Sequence, residues 1–328
     1  MTRPRSWRGA RAWTAALLAA GLLGPGTVGA ATTAAPAAAE MAEPARLAAR
    51  SLLLDGTALG GRLLAVGERG HVVFSDDGGA TWKQGQVPTR ATLTAVSFVD
   101  ERTGWAVGHG GVILRTADGG ASWTLQHRGD GDGAPLLDVH FADARTGLAV
   151  GAYGAVLATG DGGATWTRVA VEEDMHLYGL LPLRDGRLLA VGEAGALRVS
   201  SDGGKNFEAL ESPYDGSLFG AVQAADGGIL VYGLRGHVFR SDDGGRTWGK
   251  VETGVTASLM GGTVRADGTV VLAGLAGTVL VSRDGGRSFR TTVIPGRIAF
   301  SGAVEGRNGQ LLLLSEQGAR PAEREITP

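Results

Sequence analysis

Short apolar runs separated by glycine-rich polar turns recur from about residue 50 onward, and the turns are of two kinds. The first kind follows an apolar run and spans four residues closed by Gly. It reads Gly67-Glu68-Arg69-Gly70, Gly108-His109-Gly110-Gly111, Gly151-Ala152-Tyr153-Gly154, Gly192-Glu193-Ala194-Gly195, Gly233-Leu234-Arg235-Gly236 and Gly274-Leu275-Ala276-Gly277, with a weaker seventh copy at Ser315-Glu316-Gln317-Gly318. The second kind is an octet with Ser or Thr first, Asp third, Gly-Gly next and an aromatic residue last. Its Asp falls at Asp77, Asp118, Asp161, Asp202, Asp243 and Asp284, and its aromatic at Trp82, Trp123, Trp166, Phe207, Trp248 and Phe289. The steps are 41 residues, with one of 43.

Each unit reads as four short strands divided by turn chemistry. In the second unit, strand A is predicted near 93–99, B near 104–108, C near 111–116 and D near 122–127. Four-stranded repeats of about 40–50 residues in series indicate a β-propeller. The fold class is therefore all-β, a seven-bladed β-propeller with four-stranded blades over residues 41–328. A ring that stays open exposes strand edges. Residues 41–46 are expected to close it as the outer strand of the last blade, whose inner strands come from 298–325. Pro321 falls where strand C of that blade should run, which is an awkward place for a residue without an N–H.

The octet makes sense as a turn. Its Asp accepts backbone N–H groups, its Ser or Thr hydroxyl does likewise, and its Gly residues take positive φ. The aromatic packs beneath, and loss of the Asp should cost what loss of a buried hydrogen-bonded group costs. Runs of this kind also suggest Ca²⁺, but each copy usually offers one fixed carboxylate and Ca²⁺ takes about six to eight oxygens. The octets are read as structural, with no metal and no cofactor. Gly129-Asp130-Gly131-Asp132-Gly133 lacks the later ligands of a calcium loop and reads as a flexible D–A loop.

The first 30 residues differ from the rest. Arg3, Arg5, Arg8 and Arg11 precede the apolar run Thr14 to Gly24, and Val28-Gly29-Ala30 offers small side chains for cleavage. This is the pattern of a Sec-type secretory signal peptide, too short for a membrane span, which needs about 20 residues. Residues 31–40 follow as an Ala/Pro-rich linker, and the expected location is periplasmic or secreted. The chain has no Cys, which removes disulfides, a thiol nucleophile and a lipid-anchored cysteine. With 31 basic and 33 acidic side chains there is no electrostatic case for a nucleic-acid partner.

The octets resemble the Asp-boxes, or BNR repeats, of sialidase-type propellers. With the 41-residue spacing, the seven units and the phrase Gly104-Trp105-Ala106-Val107-Gly108, the chain over about 48–318 resembles the photosystem II stability/assembly factor family. That resemblance implies a seven-bladed, lumenal or periplasmic, non-catalytic scaffold that helps a membrane complex or its subunits assemble. It implies a protein partner and no enzyme activity. The alternative is a sialidase-like propeller that binds or cleaves glycans. Such an enzyme needs three Arg gripping a carboxylate and a Tyr nucleophile with a Glu partner, for which Tyr178 or Tyr214 with Glu172 or Glu173 are the candidates.

In a propeller the B–C turns and D–A loops share one face, and the octets occupy the other. Recognition residues are expected on loops carried by the rigid ring. The B–C turns offer Glu68, Arg69, His109, Tyr153, Glu193 and Arg235. The D–A loops offer Arg90, Arg128, His176, Tyr178, Tyr214 and Arg297, together with His127, Asp174 and Asp215.

Overall fold

The computed structural model describes residues 40–129, 133–171 and 174–322. The expected signal peptide, nearly all of the linker, Asp130 to Asp132, and Glu172 and Glu173 lie outside the described residues. The described chain forms seven antiparallel sheets, each a meander in sequence order. In the second blade the strands are Leu93–Phe98, Gly104–Gly108, Val112–Thr116 and Thr124–His127, within two residues of the predicted bounds. This is the seven-bladed β-propeller, with six sheets of four strands and one of three among the described residues.

The core lies between neighbouring sheets. Every B strand from Gly104–Gly108 onward is buried over its full length, because each blade covers one face and its neighbour the other. That explains their continuous apolar composition, where a one-faced sheet would alternate. Trp105 is fully buried, and its ring lies flat on Phe141 of the next blade with centroids 3.5 Å apart.

Ring closure departs from the expectation. Residues 41–46 form no strand, and the last blade has three strands among the described residues. Ala42 N donates instead to Val87 O at 2.8 Å, beside the outer edge of the first blade. Pro44 interrupts the segment and cannot donate to a ladder. The ring is closed by packing of Leu53 and Leu63 of the first blade against Val304, Leu312 and Leu314 of the last. The Ser301 hydroxyl donates to Leu53 O at 2.6 Å across the same seam. Pro321 ends the strand Gly318–Pro321, whose outer side has no partner strand among the described residues, so its missing N–H is tolerated.

The octet turns are built as their residue types require. Asp77 accepts the Thr81 N–H at 2.8 Å and the Thr81 hydroxyl at 2.5 Å, and Ser75 Oγ donates to it at 2.7 Å while accepting the Gly79 N–H at 2.8 Å. The same set recurs at Asp118, Asp161, Asp202, Asp243 and Asp284, with Asn206 Nδ2 replacing the hydroxyl donor at Asp202. Both glycines of every octet have positive φ, for example 71° at Gly78 and 91° at Gly79. The indole N–H of Trp82 and Trp123 donates to Gly79 O and Gly120 O, whereas those of Trp166 and Trp248 are buried without a partner among the described residues. Phe207 packs against the core between the third and fourth blades, and Phe289 against that between the fifth and sixth.

One part of the expectation fails here. The octet carboxylates sit at the surface, so the argument from a buried hydrogen-bonded group does not apply to them. Their role is to order the turn. The turn then presents a glycine carbonyl to the preceding blade: Arg62 donates to Gly119 O at 2.9 Å, Trp105 to Gly162 O at 3.2 Å and Arg187 to Gly244 O at 3.0 Å. Arg240 does the same to Gly285 O.

Candidate functional site

Two sets of backbone bonds define the two faces. In all seven blades the second residue of the B–C turn donates its N–H to the residue preceding strand A, from Glu68 to Leu52 through Glu316 to Ala299, at 2.8 to 3.2 Å. The B–C turns and the ends of the D–A loops therefore lie side by side. The octets meet the A–B turns instead, as in Gly119 N to Arg102 O at 2.9 Å and Gly162 N to Arg145 O at 2.8 Å. In six of the seven B–C turns the first residue is a Gly that this closeness favours, Ser315 standing in the seventh. A Cβ on Gly67 would overlap the Leu52 carbonyl oxygen, and the same holds for Gly108 against Thr92.

The third residue of five B–C turns is a non-glycine in the left-handed region: Arg69, Tyr153, Ala194, Arg235 and Ala276, with φ between 50° and 59°. Arg297 in the last D–A loop is another, at 53°. This conformation is costly for side-chain-bearing residues and turns them outward on the loop face. Tyr153 is 63% exposed.

The predicted loop-face residues do not form one cluster. Tyr153, His176, Tyr178 and Glu193 come together. Tyr153 and His176 meet edge to face at 4.8 Å, His176 and Tyr178 at 6.1 Å, and Tyr178 and Phe219 at 5.3 Å. Glu193 Oε2 accepts the His176 N–H at 3.4 Å. Burial pushes the Tyr178 hydroxyl above its ordinary pKa, and Ser217 hydrogen-bonds it. Tyr214 belongs to a second group with His237 and Phe239. Arg90 is taken up by the N-terminal segment, pairing with Glu43 at 3.0 Å and donating to Met41 O at 3.2 Å. Glu68 accepts the Leu52 N–H at 3.4 Å, and Arg128 reaches Thr89 Oγ1 at 3.5 Å. His109, Arg235 and Arg297 are exposed on separate turns of the ring.

The aromatic run ends at the mouth of the central channel, a feature the residue reading did not single out. Each of the seven A strands carries a bulge at its second residue: Leu54, Thr94, Leu137, Tyr178, Phe219, Met260 and Ser301. A bulge inserts one extra residue and turns consecutive side chains toward the same side. Both the bulged residue and its successor line the lumen, a cavity of about 280 Å³. The successors are Asp55, Ala95, Asp138, Gly179, Gly220, Gly261 and Gly302. Two carboxylates thus enter the channel at a position where the other five blades carry Gly or Ala. Asp55 Oδ2 accepts the Val96 N–H at 2.9 Å, and Asp138 Oδ2 accepts the Leu180 N–H at 2.6 Å, each tying its blade to the next. Burial raises the Asp55 pKa to about 6; burial, then the charge of Asp55, raises that of Asp138 to about 7. The sequence signal was a charged residue inside an inner strand where other repeats have Gly or Ala.

The fold and this face define a seven-bladed Asp-box propeller whose varied loops surround the mouth of a central channel. The family described as Photosynthesis system II assembly factor YCF48 matches residues 75–172 and 130–251, more than half of the chain, and the chain belongs to it. Among curated relatives it is 38% identical over 80 residues to the chloroplastic photosystem II stability/assembly factor HCF136 of Cyanidioschyzon merolae, covering 23% of this chain and 18% of that protein. It is 43% identical over 42 residues to the photosystem II assembly protein Ycf48 of Thermosynechococcus vestitus, covering 13% and 12%. The matches therefore span less than a fifth of either relative. A solved structure described as YCF48 bound to D1 peptide is similar in fold, with a TM-score of 0.69 and 22% identity over 87% of this chain and 97% of that one.

Proposed function

We propose that this chain is an exported, non-catalytic scaffold that holds an extended segment of a membrane-protein subunit against its loop face while a membrane complex assembles. The observation that carries the reading is the aromatic run Tyr153–His176–Tyr178–Phe219, which leads from an exposed turn to the channel mouth. Rigid aromatic side chains give large contact area at low entropic cost, which suits capture of a flexible segment. Family membership supports the same reading, as does the fold-level likeness to a propeller described with a bound peptide. Export is supported by the basic, apolar and small-residue pattern of the first 30 residues.

The chemistry of the face does not favour hydrolysis. A Tyr nucleophile needs activation, and burial moves the Tyr178 hydroxyl the other way. Affinity capture from the exported compartment, comparing wild type with the double variant Tyr153→Ala, Phe219→Ala, tests the proposal. Wild type should enrich a membrane-complex subunit that the variant loses. Identical captures would defeat the reading, as would turnover of a fluorogenic sialoside by wild type that is lost in Tyr178→Phe or Tyr214→Phe.

A further inference from the structure

Beneath the aromatic mouth the lumen presents oxygen atoms. Among the described residues its titratable lining groups are Asp55, Asp138, Tyr178 and Tyr232, and neither Lys nor Arg lines it. Tyr232 comes from strand Ile229–Gly233 and is only 3% exposed. It lies across Gly220, whose missing side chain makes the room: a Cβ there would sit 2.5 Å from Tyr232 Oη. On the neighbouring blade a Cβ on Gly262 would sit 3.2 Å from the same oxygen. The hydroxyl is thus aimed into the lumen between two glycines, and it has no hydrogen-bond partner among the described residues. A side chain this buried whose hydroxyl opens only onto the lumen, with no protein partner among the described residues, calls for an explanation. Two carboxylates in one lumen, with no countercharge among its described lining residues, call for the same.

We propose that the lumen is a binding site for a primary alkylammonium group, seated between Asp55, Asp138 and Tyr232, with its alkyl stem leaving past Phe219 and Met260. An ammonium has three N–H donors and meets three acceptors here. Tyr178 and Phe219, which touch edge to face, both line the cavity, and aromatic rings there favour a bound cation. A hard divalent metal fits less well. The carboxylates already accept backbone N–H groups from Val96, Val139 and Leu180, leaving fewer than the roughly six oxygens Ca²⁺ takes. Among the described residues no group of three or more His, Cys, Asp or Glu is placed to hold a metal. The same chemistry is offered by a small free amine or by a lysine side chain of a partner. The inference goes beyond the scaffold reading and stands without it.

Calorimetric titration of the exported chain tests the site with n-butylammonium, N-acetyl-lysine amide, n-butanol and CaCl₂ as separate probes. Wild type should bind n-butylammonium and not the neutral, isosteric alcohol. Tighter binding of the lysine amide points to a protein source, and tighter binding of the free amine to a metabolite. Asp138→Asn should weaken amine binding at least tenfold, and Tyr232→Phe, which keeps the packing, about threefold. Affinity should also rise from pH 5 to 8 as the two carboxylates ionise. Binding of Ca²⁺ in preference to either amine, equal binding of n-butanol, or amine binding unchanged in Tyr232→Phe would overturn the proposal.

Discussion

Trp105 of the second blade stacks on Phe141 of the third at 3.5 Å between ring centroids, and its indole N–H reaches the third blade's octet at Gly162 O. One side chain thus joins two blade cores and one turn. Trp105→Ala should lower stability by about 3–5 kcal/mol, the range for a large aromatic removed from a core. Trp105→Phe, which keeps a ring on Phe141, should lose clearly less. Urea unfolding of both variants measures the difference.

Stability should depend on pH in two opposed ways. Asp55 and Asp138 hold protons in the fold that the unfolded chain releases near pH 4. Their contribution therefore falls as pH rises from about 4 to 7. The octet carboxylates act in the opposite sense. The Thr81, Thr165 and Asn206 side chains hold Asp77, Asp161 and Asp202 down to about 2, so their contribution is present above about pH 4 and is lost on acidification toward 2. Thermal melts should peak in mild acid. In the variant Asp55→Asn, Asp138→Asn the decline toward neutrality should flatten.

Chelation should leave the melting temperature unchanged. Both oxygens of Asp77 are already engaged by Thr81, and Ser75 adds a third donor. A metal would have to displace these donors. A drop in melting temperature on adding EDTA, restored by Ca²⁺, would refute the purely structural role of the octets.

Two glycine substitutions separate steric from conformational demand. Gly67 has extended backbone, with φ −173°, but its Cβ would overlap the Leu52 carbonyl. Gly67→Ala should cost about 3 kcal/mol, the upper end for overpacking. Gly186 has φ 87° and open space around it, so Gly186→Ala should cost only the left-handed strain of about 1–2 kcal/mol. Chemical denaturation ranks the two.

Tyr153→Ala should leave stability within about 0.5 kcal/mol, as expected for an exposed site. The same variant should reduce capture of the partner subunit. Loss of capture with an unchanged melting curve identifies a contact residue; loss of both identifies a structural one.

The repeat, the strands and the octet turns were legible because they depend on residues close together in the chain. A turn is set by its own Gly, Asp and Ser or Thr, and a buried strand by a continuous apolar run. The periodic spacing then implied the ring. Closure was read less well, since Pro44 and the docking of Ala42 on Val87 turn the N-terminal segment toward the first blade. The loop-face candidates were legible one by one, but not which of them meet: Arg90 is held by Glu43, while Tyr153, His176 and Tyr178 form a run with Phe219. The lumen carried only a faint sequence signal, the two inner-strand Asp, and its assembly was decided by tertiary structure. Asp55, Asp138 and Tyr232 stand far apart in sequence on three different blades. Closing the ring brings them to one lumen: bulges at the heads of the inner strands turn Asp55 and Asp138 inward, and Tyr232 reaches in from the next strand across Gly220.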